Sequence, residues 1–64
     1  MQDPVVFRDV EVIRRTDLIL MCRLGDRSVP VPPLRILEGT TVRTEGDRGT
    51  LVLPRDLAVD LGLL

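Results

Sequence analysis

The chain has no histidine, lysine, tryptophan or tyrosine, and its 64 residues include one phenylalanine, one cysteine and one serine. Without histidine, the usual neutral-pH general base and zinc ligand is missing. Without lysine there is no amine for Schiff-base chemistry. Carboxylate-only catalysis needs two acids held together in a cleft, and the seven aspartates and three glutamates stand singly at turns or on alternate positions. The sequence therefore argues against an enzyme and calls for no cofactor or metal.

The scarcity of rings excludes more. Phe7 is the only aromatic, whereas proteins that hold single strands or RNA by stacking need several such platforms. Double-stranded DNA contacted through arginine stays open. Nine arginines face ten acids for a net charge of -1, which is not the footprint of a protein held mainly by phosphate contacts. A guanidinium fork still suits a few phosphate or carboxylate contacts in a locally basic patch.

Cys22 has no partner for an internal disulfide and lies in the apolar run LILMCRL, residues 18–24. It reads as a small buried hydrophobe in a cytoplasmic protein. No stretch approaches the roughly 20 apolar residues of a membrane span, and the start MQDP is not that of a signal peptide.

The clearest stretch is GTLVLPRDLAVDLGLL, residues 49–64. Residues 50–53 are a short run of strand formers, and the period then changes to Leu57, Ala58 and Leu61 at helical spacing. Pro54 suits the first helical position, Asp56 the positive end of the helix dipole, and Gly62 the C-terminal stop. A two-turn helix over 54–62 is too short to persist alone, so its Leu57 and Leu61 face is expected to pack on a sheet.

Upstream, residues 1–4 read as a loose tail. Residues 5–15 read as a strand, with Val6, Val10 and Val12 in one parity and Asp9 and Glu11 in the other; Thr16 and Asp17 end it. Residues 18–24 are apolar in both parities and are expected to form a central strand covered on both faces. Gly25 and Asp26 suit a tight hairpin turn into residues 27–31. There Pro30 and Pro32 share one parity and leave the same side of the ladder without N–H groups, which predicts an edge strand. Pro30, Val31, Pro32 and Pro33 are thus a candidate partner edge, an extended segment open to an aromatic groove. Leu34 and Leu37 are expected to tuck a bent connector into the core, residues 40–44 to return to strand, and EGDRG, residues 45–49, to be a plain polar turn without the Lys-Ser/Thr of a phosphate loop.

The run TVRTEGDRGTLVLPRDLAVDLGL, residues 41–63, resembles the opening half of the SpoVT/AbrB swapped-hairpin DNA-binding domain. The matching positions are Val42, Arg43, Gly49, Leu51, Leu53, Pro54, Leu57, Leu61, Gly62 and Leu63. The acidic, alternating second hairpin of that family is similar to DVEVIRRTDLIL, residues 9–20, so the order is permuted here. Thr50 stands where the family has a basic residue after the glycine, and Ala58 and Val59 where its helix often has a basic pair. The resemblance implies a dimeric transcriptional regulator with Arg43, Arg48 and Arg55 as DNA contacts, gathered where strand, turn and helix entry converge.

The expected fold is all-β: a single domain over residues 1–64, a small barrel or swapped hairpin of four to five short antiparallel strands closed by one C-terminal helix. So small a chain buries only about 60% of its unfolded surface, and oligomerisation is the usual remedy. The expected function is a non-enzymatic protein-binding or self-assembling module, of adaptor or inhibitor type, acting as a homo-oligomer. The alternative is the AbrB-like regulator bound to double-stranded DNA.

Overall fold

The computed structural model describes residues 3–64. Of the expected tail, Met1 and Gln2 lie outside that range, and Asp3 and Pro4 are exposed and belong to no element. Four strands form one antiparallel sheet: β1 (Val5–Arg15), β2 (Leu20–Leu24), β3 (Arg27–Val31) and β4 (Arg48–Leu53), in the order β3-β2-β1-β4. A 3-10 turn (Pro33–Arg35) follows β3, and one helix, α1 (Arg55–Asp60), follows β4. The small all-β fold with a short C-terminal helix is as expected, with four strands.

The core lies on one face of the sheet. Val10 and Val12, Leu20 and Cys22, Val29 and Val31, and Leu51 and Leu53 are buried there, joined by Val42 and by Leu57 of α1. Because side chains alternate along a strand, each strand supplies two of these residues from one parity.

β1 departs from simple alternation. Phe7 pairs with Leu51 but Val10 pairs with Gly49, so β1 carries one extra residue there. Asp9 absorbs it in the left-handed region, at φ 57°, a conformation that aspartate tolerates better than most side chains. The bulge reverses parity. Phe7 packs against the core, while Val6, expected on the face of Val10 and Val12, is 48% exposed. A second irregularity between Val12 and Arg14 leaves Ile13 without a partner on β2.

The expected double-sided strand over residues 18–24 is also corrected. Thr16 Oγ1 accepts hydrogen bonds from the N–H groups of Leu18 (3.3 Å) and Ile19 (3.1 Å), so these two residues shape the β1–β2 turn. Leu18 is 79% exposed. The helix covers the core face; on the other face the connector covers Val52 beside Gly39, while Leu18, Ile13 and Ile19 stay exposed.

Between β2 and β3, Gly25 takes φ 65° at the first turn position, as the Gly-first hairpin requires. β3 is the sheet edge, as its prolines imply. After it the connector differs from expectation: Leu34 is 98% exposed and Leu37 is also exposed, while Ile36 packs on the core. The bond from Arg35 N–H to the Pro32 carbonyl (3.0 Å) turns the chain so that Leu34 stands at its tip.

Residues 40–44 are not a strand. They seal the outer edge of β4 with side chains: Thr40 Oγ1 accepts from Val52 N–H and Thr41 Oγ1 from Thr50 N–H, each at 2.9 Å. The Leu37 and Thr41 N–H groups return bonds to the Val52 and Thr50 carbonyls, also at 2.9 Å. Threonine hydroxyls here stand in for backbone carbonyls as acceptors. Gly49 permits the approach, since a Cβ at that position would collide with Thr41 Oγ1.

At the end of β4, Pro54 is the N-cap in extended conformation (φ -61°, ψ 147°) and the helix proper starts at Arg55, one residue later than expected. Leu57 and Ala58 are buried and Leu61 packs against the core. Gly62 ends the helix at φ 76°. Its N–H donates to Val59 (3.0 Å) and that of Leu63 to Ala58 (2.9 Å), the paired bonds of a Schellman motif. Arg27 Nη1 of β3 donates to the Gly62 carbonyl at 2.7 Å and ties the helix end to the far side of the sheet.

Candidate functional site

The polar groups with chemistry to offer lie on the surface. Thr40 is the only buried polar residue among those described, and no buried side-chain polar atom among them lacks a partner. The Cys22 thiol is buried, and burial pushes its pKa up to about 11, so at neutral pH it is a packing group. Among the described residues no helix is long and apolar enough to cross a membrane.

The sheet face away from the core has two zones. The apolar zone is built around Met21, which lies between the buried Leu20 and Cys22 and so points outward, between exposed Pro30 of β3 on one side and exposed Arg14 of β1 on the other. Ile13 from the β1 bulge and Ile19, one step before β2 in the parity of Met21, are each 39% exposed. Pro32 continues the parity of Pro30 and is half-buried.

The charged zone is a row across the four strands. Ser28 pairs with Arg23, Arg23 with Glu11, and Glu11 with Arg48. Arg23 Nη2 donates to Glu11 Oε1. Arg8 and Asp9 stand beside the row, both on the outer side because the bulge inserts one residue between the inward-facing Phe7 and Val10. Arg8, Asp9, Glu11, Arg23, Gly25 and Arg48 line a surface cavity of about 270 Å³.

The anticipated arginine patch does not assemble. Arg48 opens β4 and Arg55 lies two residues past its end, so the five steps from Arg48 to Leu53, at about 3.3 Å each, already put roughly 17 Å of strand between the two ends. Arg43 stays at the Arg48 end, where its N–H and that of Thr44 donate to Asp47 Oδ2 at 2.9 Å each. These two bonds stabilise the carboxylate and lower the Asp47 pKa below the ordinary aspartate value. Backbone bonds between the turn and Val12 of β1, 2.8 Å in each direction, fix the turn on the sheet. Arg8 and Arg23 are the cationic neighbours of Arg48, and nothing local in the sequence marks them, since they meet only through the order β2-β1-β4.

The candidate edge divides as well. Pro30 is exposed, Pro32 and Pro33 are half-buried, and the Val31 side chain is fully buried in the core. Val31 is thus a packing residue, and only its backbone belongs to the edge.

No family model matches the chain, and neither do any curated protein or solved structure.

Proposed function

We propose that the chain is a non-enzymatic, self-assembling protein-binding module whose first partner is a second copy of itself. The observation that carries this reading is the apolar zone of Met21, Pro30, Ile13 and Ile19, which lies against the edge strand with Ile13, Ile19 and Pro30 exposed among the described residues. An exposed apolar zone rimmed by charge is the usual mark of a protein contact. A chain this small also has much to gain from covering its sheet with a copy. The unpaired thiol of Cys22 supports a reducing, cytoplasmic setting.

The test is sedimentation of the parent and of Ile19→Glu/Met21→Glu. The parent is expected to sediment as a dimer or larger, and the variant as a single chain with its β circular dichroism kept. A parent that stays monomeric at every concentration, or a variant that keeps the oligomer, overturns the proposal.

The second reading is an AbrB-like regulator that contacts duplex DNA. Arg43 and Arg48 at one end of β4, with Arg8 and Arg23 beside Arg48, support it; Arg55 stands apart. Binding of that kind responds to the local field more than to total charge, and it weakens steeply with salt.

A further inference from the structure

We propose that the cavity between Arg8, Arg23 and Arg48 is a site for a singly charged phosphodiester group. It deepens the nucleic-acid reading, on which it rests for the source of that group.

Two observations carry it. First, the three guanidiniums are not equivalent. Arg23 is committed to Glu11, whereas the side chains of Arg8 and Arg48 make no ion pair or hydrogen bond among the described residues. Two planar donor forks therefore line the cavity with their hydrogen-bonding capacity unused, and a guanidinium fork fits two oxygens of one phosphate. Second, the cavity is a product of the bulge. Asp9 is held at φ 57°, an uncommon conformation for a residue with a side chain, and bulges of this kind re-aim side chains beside functional sites.

Charge and volume select the ligand. Three guanidiniums against the carboxylates of Asp9 and Glu11 leave a net charge of one positive, which matches one negative charge better than two. A phosphodiester carries one, and a phosphate monoester nearly two at neutral pH. The cavity of about 270 Å³ is well above the roughly 10–15 Å³ that a single water needs. That admits a phosphate with the carbons on either side. Glu11 fixes Arg23 as the back wall, and Asp9 limits affinity by facing the anion.

The experiment titrates the full chain at low salt with dimethyl phosphate and, separately, with a short DNA duplex, following the arginine Nε–H signals. Both probes are expected to shift Arg8 and Arg48 and to leave Arg55 in place. Arg8→Gln and Arg48→Gln should each weaken binding roughly tenfold, and Arg55→Gln should leave it unchanged. Asp9→Asn keeps a residue that tolerates the left-handed backbone while removing the opposing charge, so it should tighten binding. All four positions are exposed, and circular dichroism confirms that the variants fold. Response to dimethyl phosphate without response to the duplex keeps the site and removes the nucleic-acid reading. Duplex binding that survives Arg8→Gln/Arg48→Gln keeps that reading and overturns the site. No response of Arg8 and Arg48 to either probe, or equal losses at Arg55, also overturns it.

Discussion

Asp47 shows how one side chain holds a turn that the backbone alone would leave loose. Its carboxylate takes the N–H groups of Arg43 and Thr44, while its own backbone carbonyl accepts from Val12 of β1. The two bonds to the charged form lower its pKa in the folded state. A depressed folded pKa means that stability is present above the unfolded value of about 3.9 and is lost as pH falls through the lower folded value. Acidification in that window should therefore loosen the 43–47 turn. Asparagine keeps an acceptor oxygen but cannot titrate, so Asp47→Asn should show a smaller drop in melting temperature over the window. Thermal melts of parent and variant through acid pH check this, and parallel curves would remove Asp47 from the account.

β3 is an element whose place is set by what its residues cannot do. Leu24 and Arg27 close the two-residue turn, and hydrogen-bonded and non-bonded pairs alternate from there in an antiparallel ladder. Met21 and Pro30 form a non-bonded pair, so an N–H at position 30 would point away from β2 into open solvent. The opposite edge of the sheet, β4, is sealed by Thr40 and Thr41. The two edges are thus protected by different means: missing donors on one, threonine hydroxyls on the other. Pro30→Thr/Pro32→Thr would restore donors to the open edge, and strands with free donors pair with one another. The double variant should aggregate or form larger species, seen by light scattering. A variant as soluble and as small as the parent would mean that those positions do not face an open edge.

Seen whole, the described molecule is one sheet covered along its inner face and, on the outer face, at Val52 beside Gly39. Leu57, Leu61, Ile36 and Val42 clad the inner face, and the outer face keeps Met21, Ile13 and Ile19 beside the charged row. No disulfide supplements this core: the one cysteine is free and buried. If a second copy covers the apolar zone, association and folding are linked, and the melting midpoint should rise with protein concentration. Ile19→Glu/Met21→Glu should abolish that dependence. A concentration-independent midpoint for the parent would place its whole stability within one chain.

Much of this fold is decided by local rules and was legible in the residues. The β1 limits, the Gly25 turn, the edge position of β3, and the strand, Pro54, helix and Gly62 stop at the C-terminus each follow from a dihedral preference, a missing donor or a hydrophobic period. These constraints act over a few residues, so a short window contains them. The two irregularities of β1, the use of Thr40 and Thr41 against β4, and the meeting of Arg8 and Arg23 with Arg48 have a different origin. Each depends on the register between strands distant in the chain: Phe7 lies opposite Leu51, and Glu11 opposite both Arg23 and Arg48. One extra residue in β1 reverses which side chains face the core, and no pattern local to β1 records that its partner is one residue shorter there. The apolar and basic zones of the outer face are consequences of that pairing, which only the closed sheet decides.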